Sequence, residues 1–322
     1  MSDDRVKALT FDYPEFIPLT VALLPAMWIK YRDDLQALVD RHPAIFGPSE
    51  RQPRDYDAVT ERFAVGSYTD IWGCTWSNIH KGLASIVTGN PLPTRELVRA
   101  FRAPDAPIGE LPHGFMFMRL YYLRGFEELM IDFAEEPPEL QMLIDIVLDH
   151  NMRELEIILS KQQGRRTIHF GDDLGMQHAL PISPEKWRKY LEPCYMRLYQ
   201  RCREAGHYVY MHSDGHMTEI IPDLIECGVD VINPQIGANG LENITRLCKG
   251  KVCVNLDLDR QMFPFWTPED IDEHIRVAVE TLGAPEGGLW LYAAPCENTP
   301  LENIEAICAA MEKYRGYYNG RM

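Results

Sequence analysis

The chain has 322 residues, 46% of them hydrophobic, and a formal net charge of −16. That acidity argues against a nucleic-acid surface, which needs a basic footprint over the phosphates. No apolar run approaches the ~20 residues that cross a bilayer, and the charged start MSDDRVKALTFDYPEF lacks the apolar centre of a signal peptide, so a cytoplasmic protein without membrane contact is expected. The eight cysteines form no C-x-x-C pair and are expected to be reduced, mostly as small buried hydrophobes.

Residues 1–16 read as a leader segment on the outside. Residues 17–24, a continuous apolar run ending at Pro25, predict a first buried strand. Residues 27–39 carry helical spacing through Trp28, Tyr31, Leu35 and Leu38. A loop follows to about Arg62. Residues 67–93 hold two tryptophans and a Gly-Cys turn with no clean period, which predicts an excursion covering one mouth of the domain. Trp72 and Trp76 would line a ligand pocket there, or pack the excursion against the body.

Residues 115–120, FMFMRL, predict a second strand, with Arg119 and Tyr121 at its end and a helix from 125 to about 135. Residues 138–161 form a long amphipathic helix with Pro138 in its first turn. Residues 166–170 are the third strand, ending in the Gly-bracketed loop Gly171-Asp172-Asp173-Leu174-Gly175-Met176-Gln177. Ser183-Pro184-Glu185 opens a helix that runs to about Glu204.

The stretch HYVYMHSDGHMTEIIPDLIECGVDVINPQ, 207–235, is a complete unit of strand, polar turn, helix, glycine and second strand. Beyond it lie a helix at 241–248, a strand at 252–256 running into Asp257 and Asp259, and a helix from Thr267-Pro268-Glu269-Asp270 to 282. A last strand at 287–292 leads to Cys296 and Glu297, and a closing helix covers 301–314. Seven strand–helix units are visible, and an eighth is expected within 63–95 or near the N-terminus. Regular alternation without a Gly-x-Gly-x-x-Gly after the first strand favours a (β/α)8 TIM barrel over a doubly wound sheet. One domain over 1–322 is expected, with an N-terminal extension and an excursion around 50–110.

A barrel brings its strand ends to one mouth, where Asp172, Asp173, His212, Asp214, Asn233, Gln235 and Cys296 would meet. Zinc accepts imidazole, thiolate and carboxylate, so His212, Cys296 and Asp214 form a candidate metal site with a fourth position open for substrate. The alternative is a hydrogen-bonded histidine and a buried cysteine, and Asp214 could instead orient His212 from outside the coordination sphere. Asp172 and Asp173 are candidate acid/base or substrate-clamping groups. Adjacent residues on extended chain point to opposite sides, so one of them is expected to face the mouth; the alternative is a loop in which one carboxylate only caps backbone N–H groups.

The stretch HSDGHMTEIIPDLIECGVDVINPQ resembles the signature of the uroporphyrinogen decarboxylase superfamily, supported by DIWGCTW at 70–76, GDDLG at 171–175, ISPEKWRKYLEPCY at 182–195, FPFWTPEDIDEHI at 263–275 and TPLENIEAI at 299–307. The resemblance covers about residues 20–315 and implies a (β/α)8 barrel. True decarboxylases of that superfamily carry an Arg-rich segment of the type RQAGRY, whereas LLPAMWIKYRDDL stands here with one Lys and one Arg. The chain is closer in character to the corrinoid-dependent methyltransferases, whose zinc is held by His-x-Cys and a distant Cys. His212 matches that His, Cys296 the second Cys, and Asp214 stands where the first Cys would be. A carboxylate in place of a thiolate makes the metal a stronger Lewis acid, suited to an ether or amine leaving group.

The resemblance therefore implies a demethylating methyltransferase, with a small O-methyl or N-methyl donor and cobalamin on a separate corrinoid protein. Asp172, Asp173, Gln177, Arg119, Tyr121 and Asn233 would position the donor, with Trp72 and Trp76 excluding water and Asp173 or His212 serving the chemistry. A homodimer is compatible with it. The other readings are carboxylate decarboxylation and a non-catalytic small-ligand barrel.

Overall fold

The computed structural model describes residues 3–105 and 107–319. Its strands are, in chain order, β1 (Leu19–Val21), β2 (Gly66–Thr69), β3 (Thr75–Asn78), β4 (Ile86–Gly89), β5 (Thr167–Gly171), β6 (Tyr208–Ser213), β7 (Val231–Pro234), β8 (Cys253–Asp257) and β9 (Leu289–Ala293). The described residues fall into two compact units. One holds residues up to 66, 78–85 and those from 234 on; the other holds 67–77 and 86–233.

In the first unit β9 lies between β1 and β8 and runs parallel to both, with Leu291 opposite Leu19 on one side and Leu256 on the other. All five residues of β8 are buried, the continuous pattern expected where both faces of a parallel strand are covered. The helix Pro268–Leu282 starts with a reciprocal cap: the Thr267 hydroxyl accepts from Asp270 N–H and the Asp270 carboxylate accepts from Thr267 N–H. That satisfies two N–H groups that the helix itself leaves open. Its buried stripe, Ile271, Ile275, Ala278, Val279 and Leu282, packs on the closing helix Leu301–Tyr314.

In the second unit β6 lies between β5 and β7. The β5–β6 register runs from Thr167 opposite Tyr208 to Gly171 opposite His212. The helix Pro138–Lys161 buries Leu140, Leu143, Ile144, Val147, Leu155 and Leu159 along one face. Each such side chain contributes about 1.5–3 kcal/mol of burial.

Three expectations from the sequence need correcting. The apolar run at 115–120 is not a strand: Phe117–Arg124 is a helix, and the Asp172 carboxylate accepts the N–H groups of Met116, Phe117 and Met118 at its start. Residues 63–95 supply no eighth parallel strand either. They form a separate three-stranded sheet in the order β2-β3-β4, with β3 and β4 antiparallel. Parallel strands among the described residues thus number six, and their alternation with helices is that of a TIM-barrel-like α/β fold. The helix expected over 184–204 is also divided, into Pro184–Tyr190 and Glu192–Glu204. Pro193 cannot donate the backbone bond that would continue the first through to the second.

Candidate metal-binding active site

The register that sets His212 opposite Gly171 places the loops after β5 and β6 side by side, and they bind each other closely. Asp172 N–H donates to the His212 carbonyl at 3.0 Å, Leu174 N–H to Ser213 Oγ at 2.9 Å, Asp214 N–H to Asp173 Oδ1 at 2.9 Å and His216 N–H to the Met176 carbonyl at 2.7 Å. At the crossing, Gly175 and Gly215 leave no room for a side chain. A Cβ on Gly175 would come within 2.3 Å of the His216 carbonyl oxygen, and one on Gly215 within 2.3 Å of the Gly175 carbonyl oxygen.

Asp172 and Asp173 part ways here. Asp172 is fully buried and accepts from the three N–H groups at the start of Phe117–Arg124 and from the Tyr195 hydroxyl at 2.6 Å. Burial pushes its carboxyl up to about 6, against the pull of those hydrogen bonds. Asp172 thus anchors a helix start, a favourable place for a carboxylate. Asp173 is half-buried and faces two imidazoles: His113 Nε2 at 3.2 Å from Oδ2 and His212 Nε2 at 3.8 Å from Oδ1. The ligand atoms of His113, Asp173 and His212 lie within 4.8 Å of one another.

His212 is held from both sides. Its Nδ1 meets Asn233 Oδ1 at 2.7 Å, so Nδ1 carries the proton and Nε2 is left for a metal or a second proton. Nε2 also lies 3.2 Å from Asp214 Oδ1. Burial alone would lower the imidazole pKa; the Asp214 hydrogen bond and the charges of Asp214 and Asp173, with Asn233, outweigh it and hold the pKa above its ordinary value.

His113 escaped the sequence reading. It sits in the loop LPHGF ahead of the helix Phe117–Arg124, and nothing in its local pattern marks it as a ligand. Its position depends on Gly171, where a Cβ would lie 2.7 Å from His113 Nδ1, and on the bond from Gly114 N–H to the Gly171 carbonyl at 2.7 Å. A glycine at the end of β5, facing a Pro-His-Gly segment, was the available signal.

The remaining expected residues are distributed as follows. Arg119 is buried and donates to Asp70 Oδ2 at 2.9 Å; Asp70 also accepts from Trp76 Nε1 and from the N–H groups of Trp72 and Cys74. Trp72 packs edge-on to His150, and Trp76 stacks on Tyr68 and meets Tyr122 edge-on, so both tryptophans join the small sheet to its surroundings within this unit. Tyr121 is half-buried, and its phenol is pushed up by burial, with Tyr122 and the charges of Asp172 and Asp173 adding. Gln177 is exposed and Asn233 buried. Cys296 belongs to the first unit, where its Sγ lies 3.6 Å from Thr299 Oγ1. Among the described residues, neither Cys296 nor Asp214 is part of the three-ligand group.

The family model described as uroporphyrinogen decarboxylase (URO-D) matches residues 116–314, more than half of the chain. The chain belongs to the uroporphyrinogen decarboxylase family. No curated protein matches it. Among solved structures, a methyltransferase from Methanosarcina mazei aligns with a TM-score of 0.64 at 15% identity, over 96% of this chain and 98% of that one. At that identity the likeness is one of fold. In this uroporphyrinogen decarboxylase family member, the matched span contains Asp173, His212, Asp214 and Cys296 and begins after His113.

The donor set fits the zinc that the resemblance implies. Two imidazoles and one carboxylate are a familiar three-ligand set that leaves a fourth position open. The Asn233 oxygen on Nδ1 also provides the outer hydrogen bond that a ligating histidine needs.

Proposed function

We propose that this protein is a methyltransferase that takes a methyl group from a small O-methyl or N-methyl compound and passes it to cobalamin carried on a separate corrinoid protein. The observation that carries the reading is the convergence of His113, Asp173 and His212 at the ends of β5 and β6, with ligand atoms within 4.8 Å. The fold likeness to a methyltransferase supports it. A zinc ion bound by these three groups would supply Lewis acidity to the heteroatom of the donor.

The chain's own residues account for the rest. The methyl–heteroatom bond breaks, a bond from the methyl carbon to the acceptor forms, and the electron pair stays on the heteroatom, which takes up a proton. Asn233 fixes the His212 tautomer so that Nε2 points to the site. Asp214, half-exposed beside Nε2, would pass that proton. Asp173 faces both imidazoles and orders them. Tyr121 would contribute a neutral phenol to the donor's surroundings. Orientation and fixed charge would supply most of the acceleration.

The family's own name favours a second reading, decarboxylation, with His212 and Asp173 as acid and base and no metal. A screen of methoxy and methylamine compounds with cob(I)alamin, beside release of CO2 from carboxylated substrates, separates the two. Methylcobalamin formation that is lost in Asp173→Asn supports methyl transfer. CO2 release without methyl transfer, undiminished by chelator, would replace it with the second reading.

A further inference from the structure

The helix Pro138–Lys161 carries three buried polar residues in one turn and a third, His150, Asn151 and Glu154, each no more than 3% exposed. Burying a carboxylate is costly unless its oxygens are satisfied, and hydrophobic residues would serve the core better. None of the three touches the candidate site. What they hold is the chain on either side of His113.

Glu154 accepts the N–H groups of Ile108 at 3.0 Å, Gly109 at 2.5 Å and Glu110 at 3.0 Å, three successive donors on one carboxylate. His150 Nε2 lies 3.2 Å from the other oxygen, Oε1. Lys161 Nζ donates to the Ile108 carbonyl at 3.0 Å. Gly109, at φ +82°, presses on the same helix, where a Cβ would come within 2.6 Å of Ile157 Cγ2. Past the histidine, Asn151 Nδ2 donates to the Phe115 carbonyl at 2.8 Å. Asn151 and Glu154, three apart, share a helix face. His113 therefore hangs between two anchors on one rigid element.

We propose that Glu154, with Asn151, is a positioning residue for metal binding: it straps the 108–115 segment to the helix so that His113 meets Asp173 and His212. This rests on the metal reading above. The strap matters because His113 is the one ligand of the three borne on irregular chain rather than at the end of a parallel strand. Without it, closing the site would require ordering a loop, and that cost would come out of metal affinity.

The test is the Zn2+ dissociation constant of the folded full-length protein, by chelator competition, in wild type, Glu154→Gln, Gly109→Ala and Leu155→Ala. Leu155 is a fully buried neighbour on the same helix, so its truncation destabilises without touching the strap. Glu154→Gln and Gly109→Ala should each weaken Zn2+ binding about tenfold or more, the range for losing an outer support of a ligand, while Leu155→Ala keeps the wild-type constant. Gly109→Ala carries the test if Glu154→Gln does not fold. Unchanged affinity in a folded Glu154→Gln or Gly109→Ala overturns the strap alone. A wild type that takes up no Zn2+ overturns the metal reading and the strap with it.

Discussion

At the scale of single residues, the site depends as much on glycines as on ligands. Gly175 and Gly215 let two loops cross at backbone contact, and the hydrogen bonds of that crossing set Asp173 against His212. Gly175→Ala would place a methyl within 2.3–2.6 Å of the backbone of Gly215 and His216. The loops must separate, at a cost of about 1–3 kcal/mol or more. We expect a lower urea midpoint together with weaker Zn2+ uptake; a midpoint and affinity equal to wild type would show that the crossing can relax. His212, Asp173 and Asp214 were legible as candidates in the sequence because they follow apolar strand runs directly. His113 was not, since its loop has no period and its relation to Gly171 spans some sixty residues of chain.

Among the elements, the misread helix is the most instructive. Phe117–Arg124 buries Phe117, Met118, Leu120 and Leu123 and also Arg119 and Arg124, whose charges meet Asp70 and Asp132. A short helix buried on every side shows neither helical nor strand periodicity, so FMFMRL reads equally as a strand. By contrast β6, β7 and β8 were read correctly, because glycine and polar turns punctuate continuous apolar runs. The strap helix makes an element-level prediction about pH. The His150 imidazole is pushed below its ordinary value by burial, an effect that Arg153 and Arg119 reinforce and that Glu154 and the Pro104 carbonyl oppose. Across its other face lies the Trp72 ring at 4.6 Å.

A histidine with a lowered folded-state pKa leaves the unfolded chain binding more protons as pH falls below about 6.5. Stability should therefore decline from pH 7.5 to 5.5 through this group, by at most about 1.4 kcal/mol per pH unit. His150→Gln removes that contribution, so the difference between variant and wild type in unfolding free energy should shift in the variant's favour as pH drops. A difference that stays constant across the range would mean that His150 titrates normally in the folded protein.

For the whole molecule, the α/β alternation, the closing helices and the family membership were all legible, because they rest on long periodic segments and on motifs spread along the chain. The strand count was not. The excursion's half-exposed antiparallel strands alternate too weakly to be told from loop, and the 115–120 run mimicked the strand that the barrel expectation called for. The metal set differs too: His212 is common to both, with Cys296 and Asp214 expected from the sequence and His113 and Asp173 brought beside it in the structure.

Metal content by mass spectrometry decides the matter most directly, on protein purified without chelator, for wild type, His113→Ala, His212→Ala and Cys296→Ala. About one zinc per chain is expected in wild type and in Cys296→Ala, and its loss in both histidine variants. Zinc retained by His113→Ala and lost from Cys296→Ala, or no zinc in the wild type, would contradict that expectation.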